Sequence, residues 1–389
     1  MSRQVHTFCE FFAGGGMARL GLGGRWQCTF ANEWCSKKAD AYTKHFGVGD
    51  PSRCPELKVA DVASLRTSDV PGWPDLVWAS FPCQDLSLAG KGAGLQGERS
   101  GTFWPFWSLM DGLAGEGRAP GVIALENVLG AVTSHGGQDF AALFAALARS
   151  GYRAGPLVID ALRFVPQSRP RLFIVAVRAD TAIPGELTCS WPSSSWHPKS
   201  LIEAWAKLPP QVRSSWVWWN LPDPPPRTVG FSSLVEEQPS GTRWHTEEET
   251  RTLLSLMSKL NRQKLRMAQA SGVRRIGTVY RRTRPDENGG KTQRAEVRFD
   301  DVSGCLRTPS GGSSRQIVIF AEGNEVRSRL ISPKEAARLM GVPEGYPIPD
   351  NYNDAYHLFG DGLVVPVVAW LSDSLLLRLR GRAAVVEAA

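Results

Sequence analysis

Cys83 stands just past the end of an apolar run, in the stretch WASFPCQDLSLAG (78–90). A structural cysteine belongs inside such a run. One at the point where a strand opens into a loop is placed to react. A free thiol titrates at about 8.5, so roughly a few per cent is thiolate at pH 7, and that fraction is strongly nucleophilic. Pro82 stiffens the approach to it. The alternative is an inert, half-buried cysteine. Glu126 and Asn127 end a second apolar run, GVIALENV (121–128). A carboxyl among apolar strand residues is expected to hold its proton more tightly than a solvated one, which suits acid catalysis near neutrality. Arg169 and Arg171, in PQSRPRLFIV (166–175), lead into a third run. Both could form surface ion pairs; Arg171, next to the run, is the one set to point into a site.

A glycine-rich turn follows the first apolar run, in EFFAGGGMARLGLGG (10–24). Glycines such as Gly14 and Gly16 let a backbone approach a ligand closely, and the helix that opens next offers free N–H groups. In α/β sheets this first turn is where nucleotide-like cofactors sit. The spacing is not GxGxxG, so a dinucleotide is not indicated. Glu33 in ANEW and Asp61 in VAD then fall at the ends of the next two strands. Carboxylates there either bind a ribose hydroxyl pair and an amine or cap the following helix.

These groups need a frame that brings strand ends together. Candidate strands are 6–12, 26–32, 57–61, 75–81, 121–128, 156–162 and 171–178, with helices including 35–46, 103–114 and 138–149. Such alternation predicts a parallel, doubly covered α/β sheet. The last two strands are joined too closely for a crossover helix and should pair antiparallel. Near the C-terminus, Ser332, Pro333 and Glu335 in RLISPKEAARLMGVP (329–343) supply an N-cap, a first-turn proline and a capping-box acid. A last helix is predicted in 364–380.

The 389 residues are 42% hydrophobic and 21% charged, an ordinary globular composition. The seven cysteines are never spaced as CxxC. They suggest neither a disulfide framework nor a zinc cage, no metal is expected, and a reducing cytoplasm is the default. No signal peptide is read, and no segment approaches the roughly 20 apolar residues of a membrane span. Charge is uneven. Between Arg251 and Arg298 stand 13 basic residues against three acids, while the whole chain carries only +7. One basic block on an otherwise mildly acidic chain reads as a phosphate-backbone footprint, or as a solvated Arg-rich surface. Residues 184–245, rich in Pro and Ser, hold seven of the 14 tryptophans. With the basic block they suggest a second, less regular domain.

Taken in order, FPCQDLSLAG, ENV, QSRPR and RLISPKEAARLMGVP make the chain resemble the carbon-5 cytosine methyltransferase family, from about Glu10 to Arg178 and again from Leu306 to Leu371. The resemblance implies a Rossmann-like S-adenosylmethionine-dependent fold: a mostly parallel sheet, an antiparallel last pair and a smaller irregular target recognition domain. It divides the chain into a catalytic domain (1–183), a recognition domain (184–328) and a returning C-terminal segment (329–389). Cys83 matches the attacking thiol, Glu126 the acid at ring nitrogen 3, Asn127 a residue orienting it, and Arg171 the guanidinium that steadies a flipped base, with Arg169 in support. Phe12, Gly14, Gly16, Glu33, Trp34, Asp61, Pro82 and Phe103 match the cofactor pocket. In the late motif FGDGLVVPVV, Asp361 and Gly362 return to close it. Asp361 stands where asparagine is usual, Met17 where glycine is common and Val342 where phenylalanine is.

The middle of the chain sits where this family carries the segment that sets the sequence read. There Arg274, Arg275, Arg281, Arg282 and Arg284, with Ser310 and Arg315 of RTPSGGSSRQ (307–316), are the expected contacts to double-stranded DNA. The tryptophans are read as the small domain's core. The expected protein is a cytoplasmic monomer, with any cognate restriction endonuclease acting separately. Two rival readings are the same chemistry on a tRNA cytosine and a catalytically silent, sequence-specific DNA-binding protein. Intact Cys83, Glu126, Arg169 and Arg171 weigh against the second.

Overall fold

Seven apolar runs become strands: β1 (His6–Phe11), β2 (Trp26–Glu33), β3 (Leu57–Val59), β4 (Leu76–Ala79), β5 (Val122–Val128), β6 (Tyr152–Asp160) and β7 (Pro170–Arg178). The computed structural model describes residues 5–82, 95, 100–285, 290–308 and 315–379. The seven strands form one sheet in the order β3-β2-β1-β4-β5-β7-β6. Pairings from β3 through β5 are parallel, and β7 runs antiparallel to β5. This is the expected α/β class, mostly parallel with a reversed strand near one edge. All four residues of β4 are buried, as they must be in a sheet covered on both faces.

The helices α1 (Met17–Leu22), α2 (Ser36–Phe46), α3 (Phe103–Gly115), α4 (Gln138–Arg149), α5 (Lys199–Ala206) and α6 (Pro210–Arg213) accompany this sheet. In α3, Phe103, Phe106, Trp107, Met110 and Leu113 repeat at helical spacing and are all buried. They share one core with Phe140, Phe144 and Leu147 of α4 and with Phe11, Ile123 and Leu125 of the sheet. The apolar stripe therefore fixes which face of each helix meets the strands.

Two compact units emerge. One comprises Met1–Ile159, Pro170–Pro224 and Val367–Ala389, the other Asp160–Arg169 and Pro225–Pro366. Chain expected to open the second domain at 184 thus continues in the first unit as far as Pro224. Six of the seven mid-chain tryptophans go with it, so they do not form the second unit's core. The Trp219 indole donates to the Gly155 carbonyl at 3.0 Å, and the Trp196 ring lies 5.0 Å from that of Trp370.

The second unit is more regular than its composition suggested. It holds α7 (Glu247–Ser255), α8 (Lys259–Gln269), β8 (Arg275–Pro285), β9 (Lys291–Arg298), β10 (Ile317–Glu322), β11 (Glu325–Leu330), α9 (Pro333–Leu339) and α10 (Tyr352–Asp361), and α11 (Val365–Ser374) crosses the boundary. The strands form an antiparallel sheet in the order β11-β10-β8-β9. The apolar alternation that betrays a strand is thin here, since β9 reads KTQRAEVR and buries only Ala295 and Val297. The predicted capping box at α9 forms as written, with Ser332 and Glu335 serving each other's backbone N–H groups. Contrary to the sequence expectation, Tyr352–Arg378 is long and apolar enough to span a bilayer, an 18-residue stretch of it having mean hydropathy 1.4, but 61% of that stretch is buried within the protein. Core helices pass the same test.

Glu335 also receives both terminal nitrogens of Arg329, at 2.6 and 2.8 Å, in a pair whose side chains are 0% and 1% exposed. Removing one member strands a buried charge. Arg329→Met should therefore lower stability by about 3–5 kcal/mol, read as a lower urea midpoint, and pairing it with Glu335→Leu should restore part of the loss.

Candidate active site

Because β1, β2, β4 and β5 are parallel, their C-terminal ends share one edge. Phe11 lies in register with Asn32 and Ala79, and Ala79 with Leu125. Phe12, Glu33, the segment 80–82 and Glu126 therefore fall along one line, at the edge where open α/β sheets bind ligands. β7 runs the other way, so its beginning reaches the same edge, with Arg171 opposite Val128.

There Arg171 Nε lies 3.3 Å from Glu126 Oε1, and both side chains are largely buried. The Asn127 side chain bonds backbone at the ends of two strands. Its side-chain nitrogen donates to the Phe81 carbonyl at 3.1 Å, and its oxygen accepts from Val128 N–H at 2.9 Å. It thereby ties the end of β5 to the residue before Pro82. Pro82 is half-buried. Cys83 lies outside the described residues.

Asp139, unnoticed in the sequence, holds the chain beyond. It is 7% exposed, in the first turn of α4, and accepts the backbone N–H of buried Leu95 at 3.2 Å. Its other oxygen accepts the Ser134 hydroxyl and lies 3.0 Å from His135 Nδ1. A first-turn aspartate reads as an ordinary helix-dipole residue, which is why sequence alone gave no signal.

At the glycine turn, Phe12 has a positive φ of 58° and Gly14 the same value. Among the described residues, nothing beyond its chain neighbours lies within 4 Å of where a Gly14 side chain would start, whereas at Gly16 it would meet the Phe46 ring at 2.3 Å. Gly16 is required by packing on α2. Glu33, 5% exposed, accepts Gly14 N–H at 2.7 Å and Cys35 N–H at 2.8 Å. Asp61 is exposed and caps the short turn after it through Ala63 N–H. Trp34 is 71% exposed, while Phe103 is wholly buried between Phe81 and Trp107. Beneath the turn, burial pushes the Glu10 carboxyl up to about 8, with Glu33 adding to the rise and Arg19 opposing it.

The two arginines of QSRPR part company. Arg169 belongs to the second unit, where its guanidinium donates to the carbonyls of Leu306, Gly360 and Gly362 at 2.7, 2.9 and 2.8 Å. Its neighbour Gln167, not singled out from sequence, donates to Leu339 O and accepts Leu306 N–H. Arg169 braces backbone. Asp361 accepts the Thr308 hydroxyl, and Gly362 presents its carbonyl to Arg169.

Of the basic residues, Arg274 pairs with Glu237 and lies over the Phe320 ring, Arg275 donates to Ser271, and Arg282 lies 3.3 Å from Glu296. Arg315 donates to Asn353. Arg281 is half-buried and Arg284 lies on β8. Ser310 lies outside the described residues.

The profile of the C-5 cytosine-specific DNA methylase family matches residues 6–376. The chain is 24% identical over 375 residues to the type II methyltransferase M.BsuFI of Bacillus subtilis, covering 96% of this chain and 73% of that protein. It is 24% identical over 398 residues to the type II methyltransferase M.HpaII of Haemophilus parainfluenzae, covering 97% and 91%. In fold it is similar to the S. pombe Dnmt2 methyltransferase, with a TM-score of 0.59 and 16% identity over 96% of this chain and 98% of that one. The match takes in both the seven-stranded sheet and the second unit, and the chain belongs to the C-5 cytosine-specific DNA methylase family.

Proposed function

We propose that this methyltransferase moves a methyl group from S-adenosylmethionine to carbon 5 of a cytosine within a short double-stranded DNA sequence. The observation that carries the reading is the meeting of Glu126 and Arg171 at the sheet edge, beside the Asn127 bond to the strand end that leads to Cys83. Cytosine carbon 5 is a poor nucleophile. Addition of the Cys83 thiolate to carbon 6 opens the 5,6 double bond and pushes its electrons into the ring, making carbon 5 nucleophilic. Glu126, protonated, donates to ring nitrogen 3 and accepts from the exocyclic amine. Electrons arriving in the ring make nitrogen 3 more basic, so it draws that proton from Glu126 and leaves a carboxylate beside the Arg171 cation, and the proton returns to Glu126 as the ring is restored. After methylation, loss of the carbon-5 proton to solvent expels Cys83 and restores the ring. The target base leaves the duplex stack first, because its carbon 6 is otherwise out of reach.

S-adenosylmethionine, when bound, supplies an electrophilic methyl on a sulfonium. The residues fit it: the turn at Gly14, the exposed Trp34 ring and the Glu33 and Asp61 carboxylates suit a close backbone approach, an adenine face and polar ribose and amine groups. Phe12 adds a second aromatic at the turn.

Bisulfite sequencing of plasmid DNA from cells expressing the protein tests the reading. Protected cytosines in one short motif are expected. Unprotected DNA with modified tRNA cytosines would move the substrate to RNA, and neither would leave a silent binder.

Asp139 is a positioning residue in this scheme, since it pins Leu95 twelve residues beyond the nucleophile. Asp139→Ala should lower kcat by about 10- to 100-fold with little change in KM for DNA. Asp139→Asn, which still presents an oxygen to Leu95, should recover most of it. Wild-type kcat in the alanine variant would remove the role.

A further inference from the structure

We propose that the outer half of the β8–β9 hairpin, Arg281–Pro285 with Lys291–Ala295, is a two-stranded ribbon that enters the DNA major groove and reads guanine through Arg282 and Arg294. This rests on the duplex-DNA reading above. Among the described residues, strands β10 and β11 of the second unit's sheet stop short of the hairpin's outer half. β10 pairs with β8 only over Arg275–Val279, whereas β9 pairs with it from Thr278 to Pro285. Among the described residues, the five of β8 beyond Tyr280 thus pair with a strand on one side alone.

The ribbon is fastened at its root. Ala295 N–H donates to Leu256 O at 3.1 Å and Val297 N–H to Asn261 Oδ1 at 3.0 Å. The unit's core also ends there, at Ala295. Outward of that point the ribbon carries Arg281, Arg282, Thr283 and Arg284 on one strand and Lys291, Thr292, Gln293 and Arg294 on the other. These strand residues include five basic ones and no acid, and the stretch that joins the strands adds Asp286 and Glu287, a net of +3. A two-stranded ribbon lacking an apolar face gains little by folding for its own sake.

Register sharpens the point. Arg282 stands directly opposite Arg294, and like charges so placed weaken a ladder. Glu296 lies against Arg282, but Arg294 is exposed, with no side-chain partner among the described residues. Thr283, Lys291 and Gln293 are exposed as well. Five residues at about 3.4 Å each span roughly 17 Å, and the major groove, roughly 12 Å wide, admits a two-stranded ribbon. Side chains alternate between faces. Arg282 and Arg294 share one face, and Thr283 and Gln293 share the other. The arginine face is the one turned to the bases, because two adjacent guanidiniums repel each other in water and match the O6 and N7 acceptors of guanines in the groove.

The test methylates a library of random duplexes with wild type, Arg294→Ala, Arg294→Lys and Gln293→Ala, all matched for thermal midpoint, and reads modified sites by bisulfite sequencing. Arg294→Ala should lose about 5- to 150-fold of discrimination at one guanine position. Arg294→Lys should do likewise while keeping affinity, because lysine lacks the bidentate fork. Gln293→Ala should keep the wild-type motif. Equal loss on every sequence would make Arg294 a phosphate contact and overturn the proposal, as would no change. A wild type that methylates no duplex would overturn the DNA reading itself, and the ribbon with it.

Discussion

Cys83→Ser should abolish methyl transfer, lowering turnover by about 10⁴-fold or more, while DNA and cofactor binding stay near wild type. The substitution removes one polarisable atom and changes little else in size. What it takes away is the population of anionic nucleophile, since a thiol is partly ionised at pH 7 and a serine hydroxyl is not. Losing a nucleophile costs most of the chemical step, with the residue of catalysis coming from binding and orientation. Single-turnover methylation of a cognate duplex and gel-shift affinity, measured side by side, check both halves. Turnover within about tenfold of wild type would remove Cys83 from its role.

Glu126→Gln should lower kcat by about 10²- to 10⁴-fold, with the KM for DNA much less affected. A glutamine keeps the shape and can hydrogen-bond one ring atom. It cannot pass between charged and neutral forms as electrons enter and leave the ring. It also leaves Arg171, now 3.3 Å from Glu126 Oε1, without its carboxylate. The effect therefore belongs to the addition step, and pre-steady-state trapping of the thiol–DNA adduct should show slower formation. Near-normal kcat would rule out the acid role and leave Glu126 as a partner that merely holds Arg171.

Much of this protein is legible in its residues. The apolar runs that become β1 to β7, the helices α2, α3 and α4, and the Ser332–Glu335 capping box follow from local rules: burial on both faces of a parallel strand, a helical apolar stripe, an N-cap hydroxyl. The chemistry proposed for Cys83 and Glu126 is read locally too, because each stands at or just past the end of an apolar run.

What the tertiary structure decided is partnership. Arg169 and Arg171 are two residues apart and alike in type, yet one braces the carbonyls of Leu306, Gly360 and Gly362 and the other meets Glu126. Nothing in their spacing separates those roles; the reversal of β7 does, by starting that strand at the edge where its neighbours end. Asn127 reaching Phe81, Asp139 reaching Leu95, Trp219 reaching Gly155 and Trp196 reaching Trp370 are likewise contacts between segments more than 40 residues apart in sequence. The basic hairpin was missed as a strand pair because its pattern is charge, with apolar residues confined to its root. Periodicity reports the face a segment buries, and it is silent about which distant group that burial brings within hydrogen-bonding reach.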